Sequence, residues 1–513
     1  MPHVDTPQSR CRLGVARCDI TPPVGIYHRM WGAATHERAA GIHRPLTATA
    51  IAFSSLESRA REGRDAAGLE RGAQLGTAEQ PGASADGSGD GEQILIAVDH
   101  CIFFGNDMES LLDAISRRAD VGREKLLIVF SHTHAAGLIN TDRAHLPGGD
   151  LIAPYLEELG AKLADIVRQT RLAARPATLV YGAGRCAMAA HRDFFDEAMG
   201  GYVCGYDPQG PADDTVLVAR AVDDDGRTMA TFVNYACHPT TLAWQNQLIS
   251  PDFPGAMREI VEAAIDAPCV FLQGASGDLG PREGFVGDVS LADRNGRQLG
   301  FAALAALEAL PAPATRFEYA GAVVSGATIG TWRHAPLSKA DLANLAKWRL
   351  ERWTIDLAYR PGLPTVGALT EDRARWELEK AQAQKSGKLE SARDAHAMIE
   401  RADRQLARLK NLPPGAEFPL PATMWSIGGG IWLGVEAELY QLLQCALRER
   451  FPETPIVVMT LANGARPTYL PTQQAYETGV YPETIALLAR GSLERLIETI
   501  GDRIAAWRGD LSK

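Results

Sequence analysis

Short apolar runs alternate with amphipathic stretches along most of the chain. The runs are Ile94–Val98, Leu126–Phe130, Thr178–Tyr181, Val216–Ala219, Ala230–Tyr235, Val270–Leu272, Ile431–Val435 and Ile456–Leu461. Their length and β-branched content predict buried strands. Between them, Asn106–Arg118 and Tyr155–Arg171 carry apolar residues at helical spacing. This alternation predicts an α/β fold with mixed sheets flanked by helices. The first strand falls in Leu13–Gly25 and runs into a turn at Asp19-Ile20-Thr21-Pro22-Pro23.

Two segments break the pattern. Residues 56–93 are rich in Gly, Ala, Ser and charged residues and nearly free of large apolar groups. Such a segment cannot bury enough surface to offset its ordering entropy, so it reads as a disordered loop inserted between two strands. Residues 336–411 are helical in composition, interrupted by Pro361-Gly362-Leu363-Pro364. Their dense charges and sparse apolar positions predict a helical-hairpin insertion suited to packing or homo-oligomer formation. The remainder, 11–505, reads as a single catalytic domain.

Composition narrows the classes. The chain has 513 residues, 46% hydrophobic and 22% charged, with a formal net charge of −11. Scattered basic residues on an acidic chain argue against nucleic-acid binding. No stretch reaches the roughly 18 apolar residues of a membrane span, and the N-terminus shows no apolar leader. The eight cysteines lack paired spacings and sit mostly in apolar runs. Reduced core thiols, no stable membrane anchor and a cytoplasmic location are the expectations.

Chemistry concentrates where apolar runs end. Leu126–Phe130 leads into Ser131-His132-Thr133-His134. If the segment stays extended, both histidines share a face; if it turns, one alone reaches a metal. Met229–Cys237 likewise ends in His238-Pro239. Histidines at two strand ends suit a zinc site, which draws its ligands from separate strands onto one edge. Asp252, in Ser250-Pro251-Asp252-Phe253-Pro254-Gly255, either orients a ligating histidine or caps the following helix. Phe271–Arg282 enters a glycine-rich loop without the Lys-Ser/Thr ending of a phosphate loop, so small residues there leave room for a substrate.

Six motifs in order carry a family resemblance: Asp-Ile-Thr-Pro-Pro, Gly41-Ile42-His43-Arg44-Pro45-Leu46, Ser-His-Thr-His, Ala-Cys-His-Pro, Ser-Pro-Asp-Phe-Pro-Gly and Gly-Ala-Ser-Gly-Asp-Leu-Gly-Pro-Arg. Together they resemble the neutral/alkaline non-lysosomal ceramidases, over about residues 13–283 and again over about 424–490. The resemblance implies one zinc ion per chain, held by His132, His238, Glu438 and Tyr469, with Glu436 the rival to Glu438. It also implies His134, Tyr481 and Arg192 as catalytic groups handling protons or a developing oxyanion. Gly274 stands where the family carries a serine, and Ser276 follows two positions later, both expected to contact substrate. The implied activity is hydrolysis of a small-molecule N-acyl amide by attack of metal-bound water. A metal-dependent esterase or lactonase, and a non-catalytic assembly protein, are the competing readings. No C-terminal β-sandwich of the kind found in that family is expected before Lys513.

Overall fold

The structure, a computed structural model, describes residues 2–57, 91–410 and 412–511. The loop expected at 56–93 lies, for residues 58–90, outside the described residues, while Glu92 and Gln93 already belong to a strand.

The main sheet contains eight strands: β1 (Gln8–Asp19), β2 (Thr47–Ser54), β3 (Glu92–Val98), β4 (Leu126–Phe130), β5 (Arg175–Arg185), β6 (Thr215–Asp223), β7 (Thr228–Tyr235) and β8 (Cys269–Gln273). Their spatial order is β8-β7-β6-β5-β1-β2-β3-β4. The two outermost pairs, β7 with β8 and β3 with β4, are parallel, and the other neighbours are antiparallel. The helices α1 (Gly105–Ala119), α2 (Ile152–Leu172) and α3 (Phe253–Ile265) lie in connections between these strands, and α4 (Val289–Glu308) follows β8. A hairpin of β9 (Thr315–Ser325) and β10 (Ala327–Pro336) and a short helix α5 (Lys339–Leu345) follow.

Next come β11 (Trp348–Ala358), α6 (Val366–Lys385), α7 (Leu389–Lys410), β12 (Glu417–Ile427), β13 (Gly430–Val435), β14 (Glu438–Leu439), α8 (Leu442–Arg450), β15 (Ile456–Met459), β16 (Tyr469–Leu470), α9 (Tyr481–Ile485) and α10 (Ser492–Leu511). A second sheet has the order β11-β12-β13-β15. The segment 336–411 is thus not helical throughout, because β11 lies inside it as an edge strand of this sheet. The α6–α7 hairpin occupies its second half.

Period-two alternation sorts each strand between two cores. In β4, Leu127 and Val129 face one cluster while Leu126, Ile128 and Phe130 face another. Trp425, Trp432, Val457 and Met459 of the second sheet join Leu127 and Val129, so the two sheets pack face to face. Phe53 meets Trp432 with ring centroids 5.1 Å apart, and Phe232 meets it edge-on at 5.2 Å. The outer face of the main sheet is covered by α1 and α2 on one half and by α3 and α4 on the other. The outer face of the second sheet packs on α8 and α10. Four layers result, helices outside and two sheets within.

Candidate metal centre

β4 and β7 lie near opposite edges of the main sheet, yet the sheet curls and brings its edge strands β4 and β8 into contact. The carboxyl ends of β4 and β7 therefore meet. His132 follows β4 and His238 follows β7, and their ring centroids stand 4.8 Å apart. The chain leaving β13 of the second sheet supplies the third member. Glu438 opens β14, which pairs in parallel with β16, and its register partner is Tyr469. That pairing sets a carboxylate and a phenol side by side under the two imidazoles.

The donor atoms converge. Glu438 Oε2 lies 3.4 Å from His132 Nε2 and 3.4 Å from His238 Nε2. Tyr469 Oη lies 3.3 Å from His238 Nε2. Each imidazole is fixed from behind: His132 Nδ1 donates to the carbonyl of Cys101 at 2.8 Å, and His238 Nδ1 donates to that of Ser276 at 2.6 Å. A carbonyl only accepts, so Nδ1 carries a proton in each ring and Nε2 is the atom turned toward the other donors. This is how metal-binding histidines are oriented. His132 Nε2 is buried and has no hydrogen-bond partner.

These distances meet a simple geometric test. Four donors arranged tetrahedrally at about 2.0–2.1 Å from an ion stand roughly 3.3–3.4 Å from one another. Two imidazoles, a carboxylate and a phenolic oxygen form a nitrogen–oxygen set of the kind zinc accepts. His132, His238 and Glu438 could hold such an ion, with Tyr469 beside it. Burial raises the Glu438 carboxyl, but the neighbouring imidazoles of His132 and His238 overcome that and hold it well below its usual range.

The backbone around the cluster is strained. His132 has φ of +67°, and Asp252, Leu461, Asn463 and Thr468 are also in the left-handed region. Each costs on the order of 1–2 kcal/mol, and such residues gather where a site demands a geometry. At His132 the strand ends abruptly: its N–H reaches the carbonyl of His100 at 3.0 Å, and a short turn at His134–Ala136 follows. The chain does turn, so His134 departs from the converging atoms and sits beside them, 5.0 Å from His132 between ring centroids. Its buried Nε2 has no partner. Burial, then the charges of His132 and His238, press its pKa well below the imidazole range.

Arg192 enters from the short strand Ala189–His191, which pairs with Leu279–Pro281. It is buried, with its guanidinium carbon 5.3 Å from the centre of the Tyr469 ring, and Nε and Nη2 lack partners. Tyr481 begins α9, is 44% exposed, and its ring lies 6.2 Å from that of Tyr469.

The remaining expected residues sit further back. Glu436 is engaged elsewhere: Arg466 holds it through Nε at 2.5 Å and Nη2 at 2.6 Å. Ser276 stands behind His238, its hydroxyl taken by Gln273 Nε2 at 2.5 Å. At Gly274 a Cβ would meet Gln444 Oε1 at 2.9 Å and Ala236 at 3.2 Å, so the residue faces packed protein and not open space. Asp252 caps α3 by accepting from the Phe253 N–H at 2.6 Å and also accepts from the Leu242 N–H at 2.9 Å. It holds the turn that follows His238, and no hydrogen bond joins it to either imidazole among the described residues.

Sequence reasoning did not single out Trp31, Asn463 or Cys101. Trp31 lies over His134, centroid to centroid 5.1 Å. The Asn463 side chain accepts from the Ile128 N–H at 2.7 Å and donates to the Leu126 carbonyl at 3.1 Å, sealing the free edge of β4. The Cys101 thiol lies 3.5 Å from His132 Nδ1. Nothing local to these residues marks them, since each acts on a group distant in sequence.

Fold and site define a four-layer α/β protein with a candidate metal centre where the two edges of its main sheet meet. The structure is similar to that of neutral ceramidase from Pseudomonas aeruginosa, with a TM-score of 0.62 and 15% identity, covering 99% of this chain and 75% of that one. A ceramidase complexed with C2 is similar at a TM-score of 0.59 and 15% identity, covering 99% of this chain and 76% of that one. No protein-family model and no curated protein matches the sequence. The resemblance read from the ordered motifs therefore holds at the level of the fold, which is that of neutral ceramidase. Among the described residues, no helix is long and apolar enough to cross a membrane.

Proposed function

We propose that this protein is a zinc-dependent hydrolase that cleaves the C–N bond of an amide, with an N-acyl amide as its substrate class. The observation that carries the reading is the convergence of His132, His238 and Glu438 on one point, with Tyr469 alongside. The names of the similar structures, both ceramidases, support an amide over an ester.

When bound there, zinc would polarise the substrate carbonyl and lower the pKa of a bound water to about 7. The chain's own groups do the rest. His132, His238 and Glu438 would hold the ion, and the carbonyls of Cys101 and Ser276 hold both imidazoles with Nε2 turned toward the site. His134 is neutral at physiological pH, and its unpartnered Nε2 is placed to take a proton from the attacking water and pass it to the leaving nitrogen. Arg192 remains a guanidinium with two unpartnered nitrogens, suited to the negative charge that develops on the carbonyl oxygen. Tyr481, on the exposed side with its ring 6.2 Å from that of Tyr469, is the remaining group assigned to protons or the developing oxyanion.

Metal analysis of the purified protein and of its His132→Ala and His238→Ala forms, followed by assays on N-acyl amides and matched esters, tests the reading. One zinc per chain, lost in both variants, with turnover of the amides, is the expected result. Unchanged zinc content in the variants overturns the ligand assignment. Turnover confined to esters overturns the amidase assignment.

A further inference from the structure

The loop that carries Trp31 is built into the site from one side and into the α6–α7 hairpin from the other. On the site side, the Trp31 ring lies 5.1 Å from that of His134 and stands edge-on to Trp244 at 6.3 Å and Phe285 at 5.8 Å. Trp244 is 37% exposed, so this aromatic wall opens toward solvent next to the unpartnered His134 Nε2. Phe285 is held at φ of +58°, a conformation a bulky residue does not adopt without tertiary support. On the hairpin side, Arg404 of α7 donates from Nη2 to the carbonyl of Met30 at 2.6 Å. A Cβ at Gly32 would lie 2.8 Å from Cβ of Ala397, so loop and helix are in direct backbone contact. Arg404 is itself held: Glu400 Oε2 lies 3.6 Å from it and 3.7 Å from Arg143.

We propose that Trp31 is a specificity-determining residue, receiving a planar apolar substituent of the substrate beside His134, and that Arg404 is the positioning residue through which the α6–α7 hairpin holds it there. The assignment rests on the amidase reading given above. A tryptophan on a partly exposed loop has many orientations open to it. Clamping the flanking carbonyl and leaving no space at Gly32 fixes the ring before substrate arrives, which raises affinity by removing an ordering cost. Three rings meeting edge-to-face offer faces on which a further ring stacks.

The test uses the zinc-loaded full chain and two probes, acetohydroxamate and benzohydroxamate, which share a metal-binding head and differ in the planar ring. Calorimetric titration is expected to show benzohydroxamate binding about tenfold more tightly. In Trp31→Ala and Arg404→Met that ratio should fall to near one, and Arg404→Lys, which keeps a donor, should restore part of it. Gly32→Val, which wedges the loop off α7 without touching Arg404, should behave as Arg404→Met does and guards against a variant that fails to fold. Independently of metal, hydrogen exchange in residues 28–34 should accelerate in Arg404→Met and Gly32→Val. A preserved probe ratio in Trp31→Ala overturns the specificity assignment, and unchanged exchange overturns the clamp. If the wild-type protein binds neither hydroxamate, the metal-hydrolase reading fails and the specificity assignment falls with it, while the exchange result still decides the clamp.

Discussion

Two glutamates two residues apart, Glu436 and Glu438, have opposite duties in this structure, and exchanging each for glutamine should produce opposite phenotypes. Glu436 is 4% exposed and accepts three hydrogen bonds from Arg466: from Nε at 2.5 Å, from Nη2 at 2.6 Å and from the backbone N–H at 3.2 Å. Breaking a buried ion pair by removing one partner costs about 3–5 kcal/mol, because the other charge stays buried without compensation. The Arg466 side chain is 32% exposed and can be partly rehydrated. The cost of Glu436→Gln is therefore placed at about 2–3 kcal/mol. Unfolding entropy near 2.1 cal/mol/K per residue gives about 1.1 kcal/mol/K for 513 residues, so the melting temperature should fall by about 2–3 °C.

Glu438→Gln should do the reverse. The Glu438 carboxylate lies between two imidazoles and carries no ion pair with Lys or Arg among the described residues. Removing its charge forfeits the attraction of the two imidazoles together with the desolvation cost which that attraction outweighs, so the metal-free melting temperature should fall by about 1 °C, less than in Glu436→Gln. Zinc affinity should drop at least about a hundredfold, since even the supports of ligands are worth ten- to hundredfold. Scanning calorimetry of the metal-free proteins and competition titration with a zinc chelator measure the two effects. Zinc lost from Glu436→Gln but retained by Glu438→Gln would refute the reasoning outright.

Three further outcomes are expected. His134→Ala should keep its zinc yet lose turnover by about 10²–10⁴-fold, read by metal analysis beside steady-state kinetics on an N-acyl amide; loss of the metal would show that His134 is a ligand. Asn463→Ala should cost about 2–4 kcal/mol in urea unfolding, because it abandons the Ile128 N–H and Leu126 carbonyl and strains a residue at φ of +56°; a change under about 0.5 kcal/mol would refute the edge-sealing role. Burial pushes His28 down to about 4, so the folded state binds fewer protons than the unfolded chain between about pH 6.5 and 4. Stability should fall across that window by about 3 kcal/mol more in the wild type than in His28→Gln, and parallel pH profiles would contradict this.

Most strands of the main sheet were legible because each is a run of apolar residues buried on both faces, as at Leu126–Phe130, where the expected and observed bounds coincide. Failures have identifiable causes. β2 is Thr-Ala-Thr-Ala-Ile-Ala-Phe-Ser, and its small side chains give little apolar signal although nearly every residue is buried. β11 lies at a sheet edge, so Arg349, Glu351, Arg352 and Asp356 disguise it as a charged helix, and only Ile355 and Leu357 are buried. β12 contains Pro419 and Pro421, which argue against a central strand. Its pairing with β13 begins only at Ala422, so both prolines lie where β12 has a neighbour on one side alone. At the site, the histidines were legible from strand ends, whereas choosing between the glutamates required Arg466, thirty residues away.

The curl of the main sheet explains why the centre resists local reading. In a flat eight-stranded sheet, the ends of β4 and β7 would be separated by the five strands that lie between them in the order of strands. Closing the sheet on itself removes that separation, and the segments that follow β13 and β15 of the second sheet bring Glu438 and Tyr469 to the same rim, where β14 and β16 pair. Closure also leaves few backbone groups to pair conventionally at the rim. Asn463 satisfies β4 with a side chain, His132 bonds across to His100, and Thr460 N–H reaches the Gln273 carbonyl at 3.1 Å from the other sheet. Left-handed residues at His132, Leu461, Asn463 and Thr468 are the local cost of those crossings, about 1–2 kcal/mol each. Strain of that size persists only where surrounding packing over-determines it, and here it is spent on holding donor atoms 3.3–3.4 Å apart.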